Sequence, residues 1–210
     1  MILRPPLRIA GITEMPPSAP GMRIGLFGGS FNPLHQGHLL VVEETLRRLR
    51  LDALWVLVTP GNPLKDNAAL PPLETRVRAA RARIGDPRIR VTGFEAAKGF
   101  TYTWQTVHFL TTALPGRRFV WIMGADSLAD FHRWERWRDI AARLPIAVYV
   151  RPGAGRRALA SRAAAVLDHA QLDESDASLL ALSPPPAWIY LQGRQSTLSS
   201  SAIRAGAATK

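Results

Sequence analysis

Ile24-Gly25-Leu26-Phe27-Gly28-Gly29-Ser30-Phe31-Asn32-Pro33-Leu34-His35-Gln36-Gly37-His38 is the stretch on which the fold turns. Its apolar run Ile24–Phe27 suits a strand covered on both faces. Gly28 and Gly29 are expected to let the backbone take strained angles and to leave room for a ligand. Helical periodicity then begins, with Leu39, Val42, Leu46 and Leu49 at i, i+3, i+7 and i+10. His35 and His38 thus fall about one turn apart at a helix N-terminus. A helix start exposes N–H groups and the positive end of the dipole, so it attracts anions. Two imidazoles there add donors aimed at one point, and Gly37 between them keeps the approach open. The expected guest is a polyphosphate. No Gly-Lys-Ser/Thr follows, so this is not a Walker loop; the spacing G-x-G-x-x-G of the dinucleotide fingerprint is also absent.

Outward from this motif, strands and helices alternate. Ala53–Thr59 reads as a second buried strand, ended by Pro60-Gly61. Leu73–Ile84 reads as a helix with Leu73, Val77, Ala80 and Ile84 on one face, and Arg88–Thr92 as a third strand. A helix runs from about Thr101 to Leu114, with Thr101 or Thr103 as its N-cap. Phe119–Met123 and Ile146–Val150 are further strands, and Ala187–Leu191 is the last. Residues 151–182 are Ala/Arg-rich and partly helical, without a legible motif. This alternation implies one α/β domain over residues 22–210: a Rossmann-like, doubly wound, mainly parallel sheet with helices on both faces. Residues 1–21 carry five prolines and no clear period, and read as a flexible extension.

In open α/β sheets, ligands bind in the crevice outside the carboxyl ends of the strands. Three segments point there besides the histidine motif. Lys65, in the loop after the second strand, is a candidate phosphate contact. Gly124 and Asp126 follow the Phe119–Met123 strand, where Asp126 either faces the ligand or caps the next helix. Ser199, Ser200 or Ser201 would cap a short helix and offer hydroxyls and N–H groups to phosphate, with the fork of Arg204 reaching the same anion.

The chain's net charge of +11 favours anionic partners. The arginines are scattered over helices rather than gathered in a block, so no stable nucleic-acid complex is expected. There is no cysteine, which excludes disulfides and thiolate metal sites. No run of 18 apolar residues exists and the N-terminus lacks an apolar h-region; no membrane partner is expected, and a cytoplasmic location is.

Gly28 to His38 resembles the signature of the His-x-Gly-His nucleotidyltransferases, and Leu198-Ser199-Ser200-Ser201-Ala202-Ile203-Arg204 resembles their second signature, usually I-S-S-T-x-I-R. The resemblance runs from Met22 to Arg204, and it is strongest to the bacterial nicotinate mononucleotide adenylyltransferases. It implies transfer of AMP from ATP to nicotinate mononucleotide, giving nicotinate adenine dinucleotide and pyrophosphate on the route to NAD. Implied for catalysis are His35, His38, Lys65 and Arg204. Implied for ATP are Gly28, Gly29, Ser30, Phe31, Gly124, Asp126, Ser199, Ser200 and Ser201. Implied for the mononucleotide are Tyr102 and Thr103, beside its carboxylate, and Trp134, stacked on its pyridine ring. Trp137 is read as core. Mg2+ is expected to arrive with ATP, with no dedicated protein metal site. The superfamily also contains enzymes acting on nicotinamide mononucleotide and on phosphopantetheine, and a non-catalytic nucleotide- or RNA-binding protein is the rival from another class. Acid against amide, and the oligomeric state, stay open. Asn32 departs from the Asp that the superfamily often has.

Overall fold

The computed structural model describes residues 6–61, 67–150 and 155–193. Within them the elements run β1 (Arg23–Gly29), α1 (Gln36–Arg48), β2 (Ala53–Val58), α2 (Leu73–Arg81), β3 (Ile89–Thr92), α3 (Phe94–Ala97), α4 (Thr103–Ala113), β4 (Arg118–Gly124), α5 (Ala125–Asp130), α6 (Trp137–Ala141), β5 (Ile146–Val150), α7 (Gly155–Leu159), α8 (Arg162–Val166), β6 (Gln171–Leu172) and β7 (Trp188–Gln192). The strands form one sheet in the order β3-β2-β1-β4-β5-β7-β6, and every neighbouring pair is parallel. The expected doubly wound sheet is therefore observed, and it is parallel throughout the described residues.

Alternation along the strands explains the two layers. Phe27, Val56, Val58 and Ile122 face a cluster with Val42 and Leu46 of α1 and Val77 of α2. Leu26, Trp55, Leu57 and Trp121 face the opposite cluster, with Val107 and Leu110 of α4 and Ile140 of α6. Strands buried on both faces read as continuous apolar runs, which is why β1, β2 and β4 are legible without strict alternation. The sheet grows from β1 through β2 to β3 in one direction and from β4 through β5 in the other. The reversal lies between β1 and β4, whose ladder pairs Phe27 with Ile122, so both Gly28-Gly29 and Gly124 stand at the switch point.

Three local readings are corrected. Residues 6–21 are packed, not a free extension: Ile12 is buried, its carbonyl accepts from Gly93 N–H at 2.9 Å, and Leu7 N–H donates to the Ala96 carbonyl at 2.8 Å. Arg81, Thr92 and Arg117 of the domain also donate to the carbonyls of Gly11, Glu14 and Ser18. Bonds to backbone carbonyls and isolated buried residues have no periodicity, so this packing leaves no pattern to read. The second helix ends at Arg81 rather than Ile84. The segment 151–182, read as partly helical, also supplies the two-residue strand β6, too short to show a period.

Candidate active site

The histidine motif opens α1 as the sequence implies, with more internal order than two loose side chains. His35 is the N-cap residue, in an extended conformation. Its Nδ1 accepts from Gly37 N–H at 3.1 Å, while His38 Nδ1 accepts from His35 N–H at 3.3 Å. The two imidazoles thus form a reciprocal capping box, a role usually filled by Ser/Thr and Glu/Gln. They stack on each other with ring centroids 3.8 Å apart. An imidazole whose Nδ1 accepts carries its proton, when neutral, on Nε2. Capping therefore turns both rings into Nε2–H donors at the same helix end where the dipole is positive.

Phe31 packs against the second of these rings. Its ring is buried, 5.1 Å from that of His38 and 5.4 Å from that of Phe27, both edge-on. What Phe31 has to offer a ligand is its backbone. The strained backbone expected at the glycines falls here instead: Phe31 has φ of 44°, whereas neither Gly28 nor Gly29 has a positive φ. Those glycines are required by packing. A Cβ on Gly28 would lie 2.9 Å from the Trp121 ring, and one on Gly29 would lie 3.0 Å from the Phe31 ring. At both glycines the space that a Cβ would need is taken by a neighbouring ring. Gly124 is different, since a Cβ there would meet nothing. It ends β4 in the crevice, and Asp126 just beyond it is exposed in the first turn of α5.

On the other face, α4 begins at Thr103 with Tyr102, not Thr101 or Thr103, as the N-cap. The orphan donors are satisfied from inside the helix: Gln105 Oε1 accepts from Thr101 N–H at 2.8 Å and Tyr102 N–H at 2.9 Å. Below this turn the Glu95 carboxylate is buried and accepts from the Thr106 hydroxyl; burial pushes the carboxyl up to about 7. Trp134 is half-buried, its ring edge-on to Trp121 at 6.3 Å and to Phe131 at 5.3 Å. Trp137 is core, as read. Trp121 therefore links the two halves, touching Gly28 on one side and Trp134 on the other. The Arg136 guanidinium lies 4.6 Å over the Trp104 ring, joining the Trp134 segment to the start of α4.

Two residues that sequence reasoning leaves without a role matter here; one of them, Arg76, matches a position of the family that the chain resembles. Trp121 is hidden inside an apolar strand. Arg76 is buried in α2, on the same stripe as Leu73, Val77 and Ala80. A charged residue on an apolar stripe was the signal available for it. Lys65, Ser199, Ser200, Ser201 and Arg204 lie outside the described residues.

A parallel sheet with a histidine-capped helix at its switch point defines a nucleotide-handling α/β protein, and comparison with known proteins agrees. The Cytidylyltransferase-like family matches residues 26–206, and the chain belongs to that family. Within it, the chain falls among relatives described as probable nicotinate-nucleotide adenylyltransferases. One from Methylorubrum extorquens is 55% identical over 87% of this chain and 99% of its own length. Another, from Mesorhizobium japonicum, is 54% identical over 90% of this chain and 97% of its own. The fold is also that of a Plasmodium falciparum nicotinic acid mononucleotide adenylyltransferase solved with NaAD, with TM-score 0.64 at 17% identity, over 88% of this chain and 83% of that one. No helix among the described residues is long and apolar enough to cross a membrane.

Proposed function

We propose that this protein transfers the adenylyl group of ATP to nicotinate mononucleotide, releasing pyrophosphate and forming nicotinate adenine dinucleotide. The observation that carries this is the imidazole capping box at the switch point, which sets two Nε2–H donors at a positive helix end. The names of the relatives supply the acceptor.

The acceptor's phosphate monoester is already largely ionised at pH 7. One of its oxygens attacks the α-phosphorus in line; the new P–O bond forms as the bond to pyrophosphate breaks. No general base and no protein nucleophile are needed. The protein's contribution is alignment and stabilisation of charge on the transferring and leaving oxygens. His35, His38, Lys65 and Arg204 take that role. Gly28, Gly29, Ser30, Phe31, Gly124, Asp126 and Ser199–Ser201 line the ATP side, chiefly through backbone at the first four. Tyr102 and Thr103 present the start of α4 to the acceptor carboxylate, and Trp134 offers its indole to the pyridine ring. Among the described residues no group of three His, Asp or Glu side chains converges. Imidazole and backbone N–H donors suit phosphate oxygens, whereas Mg2+ prefers oxygen ligands. Mg2+ brought with ATP would be held on the phosphate oxygens and would neutralise charge there.

The test is product analysis with ATP, Mg2+ and, side by side, nicotinate mononucleotide, nicotinamide mononucleotide and phosphopantetheine. The expected result is one pyrophosphate per dinucleotide, fastest with the nicotinate acceptor. Absence of pyrophosphate release with all three would overturn the assignment.

A further inference from the structure

Arg76 is only 4% exposed, yet it makes no ion pair among the described residues. Its guanidinium is spent on three carbonyl oxygens from three segments. Nη1 donates to Ser30 O and to Thr59 O, each at 2.9 Å, and Nε donates to Pro71 O at 2.9 Å. Ser30 follows β1, Thr59 follows β2 and Pro71 precedes α2, so one planar group ties together the strand ends on the α1 side of the crevice. Burial of a cation is costly, and it draws the Arg76 guanidinium down to about 10. Holding strand ends together does not by itself call for a buried charge.

The consequence lies in the Ser30–Phe31 peptide. That peptide is trans, so its C=O and N–H point in opposite directions. With the Ser30 oxygen drawn onto Arg76, the Phe31 N–H is turned to the other side, and no acceptor for it is found among the described residues. A carbonyl is the wrong pole for phosphate and an amide N–H the right one. The left-handed φ of Phe31 is a conformation that persists only when its surroundings over-determine it. The packed Phe31 ring supplies one constraint and Arg76 the other.

We infer that Arg76 is a positioning residue for ATP: it withdraws the Ser30 carbonyl from the crevice and presents the Phe31 N–H to a phosphate oxygen. This deepens the proposed adenylyl transfer and rests on it for the identity of the nucleotide. Arg76 itself touches no substrate.

The experiment compares Arg76→Met, Arg76→Lys and, as control, Arg78→Met. Arg78 is two residues along the same helix, exposed and paired with Glu74, so its replacement removes the same charge. Misplacement of a phosphate contact by about 1 Å costs on the order of 100-fold, and Arg76→Met is expected to lose that much kcat/KM for ATP. KM for the mononucleotide should barely change, Arg78→Met should match wild type, and Arg76→Lys should recover part of the loss. Folded Arg76→Met with wild-type kcat/KM for ATP would overturn the inference. A second readout uses wild-type protein alone, in case the variants fail to fold. On titration with inorganic pyrophosphate, the Phe31 amide resonance should move downfield in the 15N–1H spectrum. A Phe31 amide that stays put while the Gly37 and His38 amides shift would also overturn it. Failure of the proposed function looks different: the Phe31 amide shifts with pyrophosphate, but no dinucleotide forms.

Discussion

Replacing His38 by Asn or by Gln separates two jobs that one ring performs. Nδ1 of His38 caps the helix by accepting the His35 N–H at 3.3 Å, and the opposite edge, Nε2–H, is assigned to phosphate. Asn places its amide near the position of Nδ1, and Gln places its amide near Nε2. Both lose the ring contacts with Phe27, Phe31 and His35, so that loss cancels in the comparison. Loss of an N-terminal cap costs about 1 kcal/mol. For a chain of this size that lowers Tm by about 2–4 °C. Loss of one donor to the transition state costs about 2.7–4 kcal/mol, or 10²–10³ in turnover. His38→Asn is therefore expected to stay within that interval of the wild-type Tm while losing about 10²–10³ in turnover. His38→Gln, whose amide is the usual reciprocal group at this capping-box position, is expected to keep the cap and more of the turnover. Calorimetry reads the cap in both variants, and steady-state pyrophosphate release reads the loss of the donor. Wild-type turnover in His38→Asn would refute the assignment of Nε2 to the reacting phosphates.

Other consequences are accessible to the same assays. Gly28→Ala pushes a methyl group into the Trp121 ring, and overpacking of this kind costs about 1–3 kcal/mol; because Trp121 also carries Trp134, a rise in KM for the mononucleotide should accompany the loss in denaturant midpoint. Trp134→Ala should weaken mononucleotide binding in calorimetric titration and leave ATP binding nearly unchanged. Glu95 provides a pH signature: its carboxyl lies at about 7 when folded against an ordinary 4.5. The folded state therefore holds the proton over that window, and stability from this group is full below about pH 4.5 and lost as pH rises through 7. The difference amounts to on the order of 3 kcal/mol. Glu95→Gln should flatten this dependence in urea melts at pH 5 and 8; an unchanged slope would show that the carboxyl ionises without penalty.

The sheet was legible because its strands are continuous apolar runs punctuated by Gly and Pro, and the motif because strand, glycine turn and helix period agree in order. What escaped reading has physical causes. The N-terminal segment is held by Ile12 and through its own backbone carbonyls, to which domain side chains and amides donate, and neither carries a side-chain pattern. Gly28 and Gly29 were assigned conformational freedom, but the tertiary neighbours Trp121 and Phe31 are what exclude a Cβ, and neighbours across the sheet are invisible in a single strand's sequence. The cap of α4 comes from Gln105 inside the helix rather than from the threonines flanking its start. Arg76 was hidden among many arginines, although its place between Leu73 and Ala80 on an apolar stripe distinguishes it from Arg78 and Arg81.

The central claim is that the acceptor phosphate attacks ATP directly, with the protein aligning charge and forming no bond. Stereochemistry at the transferred phosphorus reads this without reference to any variant. With (Sp)-adenosine 5′-O-(1-thiotriphosphate) and nicotinate mononucleotide, a single in-line displacement predicts a dinucleotide inverted at the α-phosphorus. Retention would mean two displacements through an adenylylated side chain, and would contradict the account.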